Sequence, residues 1–200
     1  MKQREGAQRV FLNMESDDRG VAGALHVPES ARPLWDSGRS AEAAVAALYQ
    51  ATALGLIRLA YVMLGDRPSA EDVVQEAFCG LYRRWDRLKN TDSAIYYVRA
   101  SVLNGCRSVL RHRAVWRRGL ADQPPAASAE AAVLSAEERG EVIRAIRRLP
   151  HRQREVLVLR FYSDLSDAEI ARVMGIGQST VRSTAHRALE ALGRALEEMS

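Results

Sequence analysis

Residues 164–192 read DLSDAEIARVMGIGQSTVRSTAHRALEAL, and the spacing within them decides the fold. Ser166 followed by Glu169 is the sequence form of a capping box: the hydroxyl takes the N3 amide while the carboxylate reaches back to the cap. Ala168, Ile170, Ala171, Val173 and Met174 give the first helix its apolar positions, and Gly175 suits a left-handed exit. After the turn Gly175-Ile176-Gly177 a second helix is expected from Gln178. On it Val181, Ala185, Ala188, Leu189 and Leu192 form one apolar stripe. Gln178, Ser179, Arg182, Ser183, His186 and Arg187 fall on the opposite side. Two short helices joined by a glycine-containing turn form a helix-turn-helix signature. Serine, glutamine and arginine near a helix start can hydrogen-bond base edges, while arginine and helix N-terminal amides suit phosphates.

A hydroxyl beside an imidazole also invites a nucleophile-and-base reading of Ser183 and His186. That chemistry needs a base oriented by a third group inside a water-excluding pocket. Here the pair lies on a surface turn and Glu190 is the one acid near His186. No catalytic residue is expected, and the segment reads as a surface for DNA.

The remainder of the chain supports helices. Of 200 residues, 47% are hydrophobic and only 6% aromatic; alanine, leucine, arginine and glutamate dominate, favouring helix packed on helix over a sheet. A formal charge of +4 hints at a polyanionic partner. Cys79 and Cys106 form no C-x-x-C and have no histidine cluster nearby, so no metal site or cofactor is expected. The start, MKQREGAQRV, lacks the apolar core of a secretory signal. The longest uncharged run, residues 43–57, is too short to span a bilayer. No membrane insertion is expected, and the chain reads as cytoplasmic.

Residues 1–39 have no sustained period and read as a flexible N-terminal extension. Residues 40–113 form a first helical domain. Residues 114–134, which include the proline- and alanine-rich GLADQPPAASAEAA segment, form a linker. Residues 135–200 form the second domain. The expected fold is therefore all-α, with two small helical domains on a flexible tether.

In the first domain, SAEDVVQEAFCGLYRRW (69–85) has a cap-like start at Ser69 and Asp72. Val74, Ala77, Phe78, Leu81 and Trp85 recur at helical spacing. Asp72, Gln75, Glu76 and Arg83 occupy the other face, which alone reads as solvated. Next, DSAIYYVRASVLNGCRSVLRHRAVWRRG (92–119) carries Arg99, Arg107, Arg111, Arg113, Arg117 and Arg118, interleaved with Tyr96, Tyr97, Trp116 and Asn104. No carboxylate lies between Asp92 and Asp122. Such a stretch repels itself unless something anionic lies along it, and arginine with aromatics suits a phosphate backbone beside unstacked bases.

Taken together, the two domains resemble the bacterial RNA polymerase sigma factors of the extracytoplasmic-function (ECF) group. LPHRQREVLVLRFYSDLSDAEIARVMGIGQSTVRSTAHRALEAL (149–192) is similar to their −35-binding region 4. DRPSAEDVVQEAFCGLYRRW (66–85) followed by YYVRASVLNGCRSVLRHR (96–113) is similar to their region 2. The alternative, a stand-alone helix-turn-helix regulator, would not need that first domain.

The resemblance implies a division of labour. Asp72, Gln75, Glu76 and Phe78 would bind the β′ clamp helices of core polymerase. Lys89 and Asn90, in the loop LKNTDS (88–93), would capture an unstacked base. With them Tyr96, Tyr97, Arg99, Asn104, Arg107 and Arg111 would bind and help melt the −10 element. Gln178, Ser179, Thr180, Arg182, Ser183, His186 and Arg187 would face −35 DNA. The helix around Arg154 and Leu157 would meet the β flap, and an anti-sigma factor is a further candidate partner. Two positions depart from the family. Ser108 stands where an aspartate is usual, which removes an acid that would support an arginine. Gly177 stands where many relatives place a serine cap.

Overall fold

The structure is a computed structural model that describes residues 40–88, 91–119 and 137–198. Among these residues all regular structure is helical. Lys89, Asn90, residues 1–39 and residues 120–136, which hold most of the expected linker, lie outside the described residues.

Helix α1 (Ala41–Leu64) is capped by Ser40, whose Oγ accepts from the Ala43 amide. By length and composition it could cross a membrane. Its side chains instead build the core: Leu48, Leu56, Leu59 and Met63 are almost fully buried. The uncharged run at 43–57 is the central part of this helix.

Helix α2 (Arg67–Arg84) starts earlier than its sequence implies. Asp66, not Ser69, is the N-cap, and its Oδ1 accepts from the Ser69 amide at 3.0 Å. Asp66 is a strong cap, and Pro68 pre-sets the first turn, where its missing N–H costs nothing. The Ser69 hydroxyl is left to accept from Arg113 at 2.8 Å, while Arg113 also reaches Asp66 Oδ2 at 2.6 Å. A single 3₁₀ turn (Trp85–Arg87) follows.

Helix α3 (Thr91–Gly119) lies against α2 at very close range. A Cβ at Gly105 would come within 2.7 Å of Val73 Cγ1, so only glycine fits there without a shift. The helix continues past residue 113 to Gly119 and carries an exposed Trp116 into the span expected to be linker.

The second domain comprises α4 (Glu137–Arg148), α5 (His151–Leu157), a π-helical turn (Val158–Tyr162), α6 (Asp167–Met174) and α7 (Gln178–Glu197). Leu149-Pro150 separates α4 from α5, as proline requires. At the start of α6 the Glu169 amide donates to Ser166 Oγ at 3.3 Å, and the Ser166 amide donates to Glu169 Oε2 at 2.9 Å. This is the expected capping box. Gly175 leaves the helix with φ of 66°, in the left-handed region.

The two domains pack together. Their buried side chains form a continuous cluster from Ala44 to Leu192. The C-terminal turn of α1 has no basic residue of its own, yet arginines from elsewhere take its carbonyls. Arg147 donates to Tyr61 O (3.1 Å) and Val62 O (3.4 Å), Arg154 to Met63 O (2.6 Å), and Arg113 to Leu64 O (2.9 Å). Orphan carbonyls and the negative end of the helix dipole favour guanidinium groups there. Arg147 and Arg154 come from the second domain, so the α1 terminus is a point of contact between the two.

Candidate functional site

The second helix of the helix-turn-helix presents the face its sequence implies. Val181, Ala185, Ala188, Leu189 and Leu192 are buried, and Thr184 joins them. Gln178, Ser179, Thr180, Arg182, Ser183, His186 and Arg187 are all exposed along one side of α7. Burial of the stripe fixes how the helix sits, so the polar side chains face outward as a set. Gly177 caps α7 with no side-chain hydrogen bond, and its φ of −72° does not need glycine. At the base of the helix Asp167 accepts from Arg182 Nε at 3.3 Å and from Arg160 through its other oxygen.

The Ser183 hydroxyl donates to the Thr180 carbonyl at 3.2 Å rather than to His186. His186 Nε2 lies 3.5 Å from Glu190 Oε1, one helical turn on. The His186 side chain is exposed and that of Glu190 is half-buried. The geometry is that of a solvent-facing surface, with no aligned nucleophile and base.

On α2, Asp72, Gln75 and Glu76 are exposed, whereas Phe78 lies beneath them and is buried. Phe78 meets Tyr49 of α1 edge-on, with ring centroids 4.9 Å apart. Together with Gln75 and Tyr82 these two rings line a groove of about 610 Å³ between α1 and α2. Arg83 pairs with Glu76 at 2.7 Å, but both are largely exposed and water screens the pair. The face is thus an acidic and amide-bearing rim beside an aromatic-floored groove.

The residues expected at −10 DNA differ in accessibility. Asn104 and Arg111 are exposed. Tyr97 is half-buried, with Arg84 over its ring. Arg99 is only 5% exposed, and burial pushes its guanidinium below the usual arginine range. Tyr96 donates to Glu169 Oε1 at 3.3 Å, with Arg172 stacked 4.5 Å from its ring centre. Arg107 donates to both oxygens of Glu155 at 2.6 Å, and to Asn104 Oδ1 at 2.8 Å. Hydrogen bonding by Glu155 raises the Arg107 guanidinium further. The acid that supports Arg107 on α3 therefore comes from α5, not from position 108. Glu155 and Glu169 had no assigned role at this face; the carboxylate-free run on α3 was the signal that acids must reach it from elsewhere. Arg154 and Leu157, expected at the β flap, are buried in the same seam.

No group of three or more histidine, cysteine, aspartate or glutamate side chains suited to a metal ion occurs among the described residues. Cys79 is exposed and Cys106 buried; burial pushes the Cys106 thiol up to about 12.

Comparison with known proteins places these two helical domains. Residues 48–115 match the family model for sigma-70 region 2, and residues 139–192 match that for sigma-70 region 4. The ECF RNA polymerase sigma factor SigL of Mycobacterium tuberculosis is 34% identical, over 80% of this chain and 93% of its own length. The RNA polymerase sigma-E factor of Streptomyces avermitilis is 32% identical, over 71% and 79% respectively. Among solved structures, CnrH in complex with the cytosolic domain of CnrY superposes with a TM-score of 0.61 at 22% identity, covering 89% of this chain and 99% of that one. The sigma factor RpoE bound to the anti-sigma factor NepR from Bartonella quintana gives a TM-score of 0.58 at 20% identity, covering 72% and 91%. With both regions matched in order and relatives above 30% identity along most of their length, the chain belongs to the sigma-70 family, as an RNA polymerase sigma factor of the ECF group.

Proposed function

We propose that α2 docks this sigma factor on the β′ clamp helices of core RNA polymerase, α3 engages the −10 element, and α7 reads the −35 element. The observation that carries this reading is the exposed polar face of α7, held outward by a fully buried opposite stripe. Polymerase supplies the chemistry, so sigma needs binding surfaces and no catalytic group. Duplex contacts by α7 position the complex. Strand opening at −10 loses base stacking, which aromatic and arginine side chains on α3 partly offset. Lys89 and Asn90 take an unstacked base in this scheme, and α5 meets the β flap. The site of action is the cytoplasm, where polymerase and promoter are. An anti-sigma factor is a second partner in this reading, supported by one structural neighbour being a sigma factor in complex with an anti-sigma factor.

The test separates the surfaces. Arg182→Ala should weaken binding to a promoter −35 duplex by roughly 1–3 kcal/mol if it contacts a base edge, leaving affinity for core polymerase intact. Asp72→Lys combined with Glu76→Lys should lower core affinity first. Loss of both activities in either variant would contradict the division of labour.

A further inference from the structure

Spacings of three and four residues line up Val73, Ala77, Gly80 and Arg84 along one side of α2. That side faces α3, where Val73 meets Gly105, and it is distinct from the Asp72 and Glu76 face. Tyr97 of α3 lies across one turn of it. A Cβ at Gly80 would stand 3.0 Å from the Tyr97 hydroxyl oxygen, and the Arg84 guanidinium lies over the Tyr97 ring, 5.8 Å from its centre. Glycine inside a helix is disfavoured relative to alanine, and what it provides here is the close approach of the phenol. Arg83, the neighbour of Arg84 in the chain, turns to Glu76 instead.

We propose that Arg84 and Tyr97 form a two-layer stacking platform for one unstacked base of opened −10 DNA, with Arg84 the layer that the base meets and Gly80 the positioning residue that seats the phenol. The inference rests on the assignment of Tyr97 and its helix to −10 DNA. Tyr97, Asn104 and Arg111 recur every seven residues, about 10 Å apart along the axis, and so share one side of α3. Asn104 and Arg111 are exposed on that side. Arg84 is exposed as well, and it extends the row past its Tyr97 end, where the chain passes from α2 to α3.

The chemistry suits a base. Guanidinium is planar and weakly hydrated, and it stacks on aromatic faces, which leaves its outer face for a second π-system. Every base has such a face, so the platform holds the opened strand without reading its sequence. With Tyr97 stopped at Gly80 and Arg84 resting on the ring, both side chains are partly ordered before the base arrives, and less freedom is lost on binding. The α2 dipole by itself favours any cation in the last turn. It sets no direction over a ring, and lysine would serve it equally.

The experiment uses the full chain with saturating core RNA polymerase, on a promoter fragment that this holoenzyme selects from a library. 2-Aminopurine replaces single adenines of the −10 segment, and its fluorescence reports unstacking, separately from initial duplex binding. Arg84→Ala and Tyr97→Ala should each slow opening about tenfold with duplex binding kept, and the double variant should be no slower than the worse single one. Arg84→Lys should lose as much as Arg84→Ala, and Gly80→Ala should slow opening in the same direction. Native opening by Arg84→Lys overturns the platform, because charge alone then suffices; so do losses that add in the double variant. Native opening by Arg84→Ala beside slowed opening by Arg111→Ala overturns the platform and keeps the −10 assignment of α3. Native opening by both overturns that assignment and the platform with it. If Tyr97→Ala or Gly80→Ala loses its helical circular dichroism, Arg84→Lys, at an exposed position, decides alone.

Discussion

Asp167 ties the recognition helix to the rest of its domain: Oδ2 accepts from Arg182 Nε at 3.3 Å while Oδ1 takes Arg160. Asp167 itself opens α6, so one carboxylate links the π-helical turn, the first helix of the helix-turn-helix and the exposed polar surface of the second. Asp167→Asn keeps the shape but removes the charge that orients Arg182. The ratio of affinities for a cognate over a scrambled −35 duplex should fall several-fold, by roughly 1 kcal/mol for one charge-assisted bond. Non-specific affinity should hold or rise, because an acid near DNA has gone. Competition binding at fixed salt reads both; an unchanged ratio would remove Asp167 from positioning.

Gly105 sets how closely α2 and α3 approach. Gly105→Ala would place a methyl 2.7 Å from Val73 Cγ1. Overpacking of this kind costs about 1–3 kcal/mol, against a small gain in helix propensity. Urea unfolding should show a lower midpoint, and adding Val73→Ala should restore part of the loss.

Gly177 offers the reverse case. A Cβ there would meet Ser179 Oγ at 3.7 Å and Thr180 Oγ1 at 3.8 Å, ordinary contact distances. Gly177→Ser supplies the missing cap and removes backbone freedom from the unfolded chain, for a gain of about 0.5–1 kcal/mol. Thermal unfolding should shift upward, with −35 binding at least preserved.

Acid should loosen the helix-turn-helix through Glu169. Burial pushes its carboxyl up, but hydrogen bonds from Ser166 and Tyr96, with the Arg99 charge nearby, outweigh burial and leave it below 4.5. The folded chain therefore binds this proton less readily than the unfolded chain does. The resulting stability is fully present above the unfolded value and is lost as pH falls through the folded one. Glu169→Gln can still accept the cap hydrogen bonds but cannot titrate. Its stability should vary less between neutral and acid pH than that of the native chain, as read by denaturant midpoints.

The two cysteines should differ in reactivity. At neutral pH iodoacetamide should modify exposed Cys79 quickly and spare Cys106, whose thiol is buried and held near 12. Mass spectrometry of the folded chain measures this; equal labelling of both would mean that α3 is not packed as described.

What was legible in the sequence was local. The capping box of Ser166 and Glu169, the exit at Gly175 and the stripe from Val181 to Leu192 follow from spacings of three and four residues. The start of α2 was misplaced because Ser69 and Asp72 satisfy the same pattern that Asp66 and Ser69 fulfil in the structure. Glu155 was passed over because periodicity in HRQREVLVLRFY marks only its apolar neighbours. Its burial depends on Arg107, 48 residues upstream, and no local rule reaches that far. Likewise the arginines that cap α1 are visible only once two domains are packed together. The exposed polar side of α7 was legible because its opposite face is apolar; the accessibility of the α3 face was not, because another domain determines it.

Reconstitution with core RNA polymerase on a library of promoter fragments tests the central claim most directly. The account predicts that the full chain binds core and starts transcripts at defined positions, preceded by recurring −10 and −35 sequences, with the −35 preference weakened by Arg182→Ala. A chain that neither binds core nor yields specific starts would contradict it.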